Sequence, residues 1–180
     1  WNQAQKEWAI DVHAAQAAGK PAPPKPQPRV PRPPNPRKPN GGNNGPSNLF
    51  NAMISPLIPL SIKGVIWYQG EFNSGGSGKE YATLFSRMIT DWREKWGIGD
   101  FPFVYVQLPN FEPVDPEPSV EGNGWRWVRE GQLKALNLPN TAMAVTIYVG
   151  DPFDLHPVDK YDVGLRLALA DRKLAYGEKI

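Results

Sequence analysis

Three short apolar runs, at residues 62–68, 103–108 and 141–149, constrain the fold of this 180-residue chain more than any other feature. Each is rich in β-branched or aromatic side chains, and none shows the clean apolar–polar alternation of a strand with one wet face. Helix-length segments separate them. In the first of these segments, Tyr81, Leu84, Phe85, Met88, Ile89 and Trp92 recur at three- and four-residue spacing; after the third run come Val163, Leu165, Leu167, Leu169 and Leu174. Strands covered on both faces and joined by helices, not tight turns, predict a three-layer α/β/α domain with a parallel sheet. Ligands of such sheets bind where the strands end at their carboxyl edge, so the residues following each run are the ones to inspect.

The rest of the chain divides by composition. Residues 1–19 suit a helix closed by Gly19, and residues 20–46 hold a proline-rich stretch running into a Gly/Asn tract, the pattern of a linker or inserted loop. Residues 47–180 make the compact part, where Ser47 is placed to cap a short helix through Leu49, Phe50, Met53 and Ile54, stopped by Pro56 and Pro59. A start at Trp1 without Met, already inside a helical pattern, and an end at Ile180 read as those of a piece of a longer product, so the absence of a targeting signal is uninformative.

The balance of 20 basic to 18 acidic residues leaves a net charge of +2, and six of the basic residues fall within 20–38. The charge therefore belongs to a segment, which argues against nucleic-acid binding by the domain. Absence of cysteine excludes disulfides, thiolate chemistry and Cys-ligated zinc. No run approaches the roughly 20 apolar residues of a membrane span.

Two strand ends carry chemistry. After the first run comes Gln69-Gly70-Glu71-Phe72-Asn73, then Ser74-Gly75-Gly76-Ser77-Gly78. A glycine there lets backbone N–H groups approach a substrate oxygen, and Gln69 and Asn73 offer amide donors; the same residues also suit a plain polar turn. After the third run comes Gly150-Asp151-Pro152-Phe153-Asp154-Leu155-His156-Pro157. A histidine acting as general base needs a carboxylate to fix its tautomer, and Asp151 and Asp154 are both within reach. A lone surface histidine in a proline-punctuated turn is the alternative. Metal binding is disfavoured, since one His among scattered carboxylates lacks the spacing of a zinc site.

The segment Gly64-Val65-Ile66-Trp67-Tyr68-Gln69-Gly70-Glu71-Phe72-Asn73 closely resembles the GxIWYQGESN segment of sialate O-acetylesterases, and Asp154-Leu155-His156-Pro157 resembles their DIHP segment. Intervening pieces match in the same order: Tyr81-Ala82-Thr83-Leu84-Phe85, Asp91-Trp92-Arg93, Phe101-Pro102-Phe103, Val106-Gln107-Leu108, Trp127-Arg129-Glu130-Gln132, and Lys160 with Val163-Gly164-Arg166. The resemblance covers about residues 47–177. It implies an SGNH-hydrolase, flavodoxin-like fold, incomplete at its N-terminal side, that hydrolyses acetyl esters on sugars through a serine nucleophile and a histidine base. His156 takes the place of the base, with Asp154 the carboxylate beside it, and Gln69, Gly70, Glu71 and Asn73 match the block that lines the site and supplies oxyanion contacts. The family's serine stands in a glycine-rich turn well before the WYQGE strand, and no serine before Ile62 has that context, so the nucleophile is expected outside these 180 residues. The resemblance further implies an acetylated sugar as partner, no cofactor, and a periplasmic or secreted setting. Two positions depart from the pattern: Phe72 stands in place of Ser, and Tyr148 in place of an Asp.

Two other classes of function fit parts of the sequence. A non-catalytic carbohydrate-binding domain would use Trp67, Trp125 and Trp127 as stacking surfaces. An interaction protein would present the proline-rich arm to SH3-like grooves.

Overall fold

The structure, a computed structural model, describes residues 2–25, 45, 47–112 and 124–180. The proline-rich stretch read as a linker lies, but for residues 20–25 and 45, outside the described residues. The chain forms two compact units, Trp1–Ile58 and Pro59–Ile180.

In the first unit, α1 (Asn2–Ala17) ends as its sequence predicts. Gly19 adopts φ 65°, so the Lys20 amide donates to Ala15 O and the Gly19 amide to Gln16 O, which satisfies two carbonyls that a helix end leaves open. The chain then folds back on the helix, with Trp8 Nε1 donating to Pro23 O at 2.9 Å and Lys25 Nζ above the Trp8 ring. The helix expected after Ser47 is replaced by a π-helical turn, Phe50–Ile54, and a 3₁₀ turn, Ser55–Leu57. Ser47 caps neither. It sits at φ 61° and its carbonyl accepts from the Asn51 amide, and Pro56 and Pro59 leave too little chain for a regular helix to settle.

The second unit alternates strand and helix: β1 (Val65–Trp67), α2 (Tyr81–Trp96), β2 (Phe103–Val106), α3 (Gly124–Lys134), β3 (Thr141–Ala144) and α4 (Lys160–Tyr176). The strands pair in parallel in the order β1-β2-β3, with Val65 opposite Phe103 and Phe103 opposite Thr141. The predicted three-layer architecture follows from β2, whose four residues are all buried. Phe103 and Tyr105 face α2 and α3, among Tyr81, Phe85, Ile89, Trp125 and Val128; Val104 and Val106 face α4, against Val163 and Leu167. Each large apolar side chain buried here contributes roughly 1.5–3 kcal/mol.

The strands are shorter than the apolar runs for local reasons. After Trp67 the chain reaches Gly70, which leaves the extended region at φ 149°. The Leu108 amide donates to the side chain of Gln132 and not to a neighbouring strand. The third run turns at Thr146, whose carbonyl accepts from the Val149 amide. In α2 the buried stripe is Tyr81, Phe85, Ile89 and Arg93, while Leu84 is exposed; in α4 it is Val163 and Leu167, while Leu165 and Leu169 face outward.

Candidate active site

The first strand end is shaped by Gly70. At φ 149° an L side chain is strained, and a Cβ would lie 2.7 Å from Val128 Cγ1, so the turn runs directly against α3. Three side chains hold it there. Tyr81 OH donates to Gln69 O at 3.1 Å, Gln132 Nε2 donates to Gln69 O at 3.3 Å, and Gln69 Nε2 donates to Asn73 Oδ1 at 2.9 Å. Gln132 is fully buried and also holds the end of β2, donating to Val106 O and accepting from the Leu108 amide. Residues Glu71–Gly75 then form a 3₁₀ turn in which Ser74 Oγ donates to Glu71 O at 2.7 Å and Asn73 Nδ2 donates to Ser77 Oγ.

The electrostatics follow from burial. Desolvation pushes the Tyr81 hydroxyl up to about 12, and the Glu71 carboxylate adds to the effect. The same two causes raise Tyr68. The Tyr81 oxygen lies near the Trp67 indole N–H but outside hydrogen-bond geometry, which leaves Trp67 Nε1 buried without a partner among the described residues.

The second strand end is a loop pinned to the extension of β2. The Gly150 amide donates to Asn110 Oδ1 at 2.9 Å, and a Cβ on Gly150 would meet Asn110 O at 2.0 Å, so only glycine allows this approach. The Glu112 amide donates to Pro152 O. Within the loop Asp151 Oδ1 accepts from the Phe153 amide and Asp154 Oδ1 from the His156 amide. Asp154 Oδ1 lies 4.0 Å from the imidazole Nδ1, beyond hydrogen-bonding distance. Asp159, the third acid here, caps α4 by accepting from the Asp162 amide.

More than eighty residues apart in sequence, the two ends meet. Gln69, Glu71, Phe72, Ser74, Leu155 and His156 line one cavity of about 840 Å³. Gly70 is buried behind the lining, Asn73 is engaged by Gln69 and Ser77, and Asp154 stands outside the cavity wall. The His156 side chain is 87 % exposed, and Phe72 is 94 % exposed at the same cavity. Tyr148 turns away to carry the Arg166 guanidinium over its ring at 4.8 Å. His13 lies exposed on α1 in the other unit.

Two of the three proposed stacking tryptophans are structural. Trp67 packs among Phe85, Trp92 and Phe103, and Trp125 is 8 % exposed with Nε1 donating to Pro109 O. The ring of Trp127 is occupied by Lys79 and Arg126. Sequence reasoning placed Tyr81 on the apolar stripe of a helix and Gln132 in a matching segment, and gave neither a part in the site. The available signal was Gln132 itself, a polar residue in register with the buried stripe of Trp125, Val128 and Ala135.

Among the described residues, no group of three His, Cys, Asp or Glu side chains is gathered in a way that could hold a metal ion, and no helix is long and apolar enough to cross a membrane.

A family model described as carbohydrate esterase, sialic acid-specific acetylesterase, matches residues 43–170. The chain is 38% identical over 149 residues to a sialate O-acetylesterase of Mus musculus and 40% identical over 155 residues to that of Homo sapiens. These alignments cover 74% and 75% of this chain but 27% and 29% of those proteins. The crystal structure of a carbohydrate acetylesterase from Xanthomonas citri superposes with a TM-score of 0.70 at 47% identity, over 77% of this chain and 32% of that one. The chain thus spans under a third of the length of the relatives it matches, and its parallel sheet with flanking helices is of the SGNH-hydrolase type. On the family match over most of its length, the chain belongs to the carbohydrate esterases of the sialic acid-specific acetylesterase family.

Proposed function

We propose that the chain is the histidine-bearing part of a serine-type esterase that removes acetyl groups from sugars, with the nucleophilic serine in sequence other than these 180 residues. The observation that carries this reading is the meeting of His156 with the Gln69–Glu71 turn in one cavity at the carboxyl ends of parallel strands. The serine attacks the acetyl carbonyl as His156 accepts its proton. Donors of the Gln69–Asn73 block stabilise the tetrahedral oxyanion, and His156 returns the proton to the departing sugar oxygen. Water then releases acetate by the same steps. Asp154 supports the base by holding the loop through its bond to the His156 amide. A periplasmic or secreted enzyme, exposed to acetylated glycans, accords with this chemistry.

Two hydroxyls line the cavity, that of Ser77, which accepts from Asn73 Nδ2, and that of Ser74. Its bond to Glu71 O serves the 3₁₀ turn, and no hydrogen bond links it to His156. The test has two arms. The 180-residue chain is expected to take no label from a fluorophosphonate probe; stoichiometric labelling abolished by Ser74→Ala would overturn the assignment. The longer protein is expected to hydrolyse an O-acetylated sugar and to lose several orders of magnitude in kcat on His156→Ala. Retained activity in that variant would remove His156 from the mechanism.

A further inference from the structure

The second unit has another hollow that the ester chemistry leaves unused. It holds about 670 Å³, within the range of small-ligand sites, and its wall includes Gln107, Asn110, Phe111, Trp125, Arg129 and Phe153, together with the carboxylates of Glu112 and Glu130. A smaller hollow of about 300 Å³ shares Phe111 and Trp125 with it, and shares Glu71, Ser74 and Leu155 with the His156 cavity. Their shared wall residues set the three hollows in a row from the imidazole past Ser74 and Trp125 to Arg129. Two ligand-sized hollows in one row offer space for more than one sugar ring.

Arg129 gives the far end its chemical character. It is half-buried in the wall and makes no ion pair or hydrogen bond among the described residues. The adjacent Glu130 is taken by Lys134, at 2.7 Å. Burial disfavours the Arg129 cation. A guanidinium so placed presents a planar fork of donors suited to a carboxylate, beside aromatic rings and the amides of Gln107 and Asn110, which suit a sugar.

We propose that this hollow is a subsite for a carboxylate-bearing sugar within an oligosaccharide, at least one unit away from the sugar that carries the ester, with Arg129 taking the carboxylate. The inference rests on the esterase reading for the identity of the His156 cavity. Its test is binding to this chain, which needs no catalysis: trigalacturonate is compared by titration calorimetry with its carboxyl-reduced, neutral counterpart. The acid is expected to bind about tenfold or more tightly at low salt, and this preference shrinks as salt screens the pair. Arg129→Gln is expected to abolish the preference and leave the neutral sugar's affinity unchanged. Arg129→Lys, which keeps the charge without the fork, is expected to lose at least about threefold of it and serves where the glutamine variant does not fold. Equal affinities for the two sugars, or a preference untouched by both substitutions, would overturn the proposal. Hydrolysis retained by His156→Ala in the longer protein would remove His156 from the mechanism while leaving the binding result intact.

Discussion

Gln132 does more for the candidate site than its place in a helix suggests. One buried amide bonds to Gln69 O, Val106 O and the Leu108 amide, and so ties the strand ends β1 and β2 to α3. Replacing it with Leu keeps much of the volume and leaves those backbone groups buried without partners, at a cost of about 1–3 kcal/mol for a group left unsatisfied. Gln132→Leu is therefore expected to lower the urea midpoint by an amount equivalent to about 2–4 kcal/mol, and in the longer protein to reduce kcat through the displaced Gln69–Gly70 turn. A midpoint unchanged within error would show that water or a shifted backbone replaces the three bonds. His156, Gln69, Gly70 and Glu71 were legible in the sequence because motif and strand end coincide. Tyr81 and Gln132 were not, since a hydrogen bond to a carbonyl 63 residues away leaves no local pattern.

At the scale of elements, the two ends of the sheet do different work. The carboxyl ends carry the cavity, and the amino ends carry Arg93 of α2. Its side chain is 5 % exposed and donates to Phe101 O and Asn140 O, the carbonyls just before β2 and β3, with Asp100 at 3.6 Å. Burial lowers the Arg93 pKa and the Asp100 carboxylate opposes that shift. Arg93→Ala is expected to destabilise the chain by about 2–4 kcal/mol through lost bonds and an opened cavity. Carbohydrate binding measured well below the unfolding midpoint should be unchanged, because the residue lies at the opposite edge from His156. A changed affinity would mean that the sheet transmits strain along its length. The helical periodicity of α2 was readable in advance, but Arg93 reads as a surface charge until the partners on β2 and β3 are known.

For the molecule as a whole, stability should fall in strong alkali. Burial raises Tyr81 to about 12 and pushes Tyr105 upward as well, its hydroxyl being committed to Gln132 O. The folded state holds these protons more tightly than the unfolded chain, whose tyrosines titrate near 10. The stabilising difference is complete below pH 10 and is lost as pH rises through 12, on the order of 2 kcal/mol for Tyr81 alone. Urea denaturation at pH 9 and pH 11.5 should show the loss, and Tyr81→Phe should remove part of it. A midpoint independent of pH over that window would contradict the buried assignment.

What the sequence determined by itself was the alternation: short runs apolar on both faces, separated by segments with helical spacing, admit little besides a parallel sheet covered by helices, since the apolar surface has to be buried on both sides. The strand-end motifs came with it, because glycines and amides cluster where a chain leaves a strand. Tertiary structure alone decided the rest. Strand order, the meeting of His156 with Glu71, the burial of Trp67 and Trp125, and the hollow beside Arg129 all depend on side chains distant in sequence coming into contact. Periodicity records which face of an element is buried, but only packing selects the neighbour that buries it.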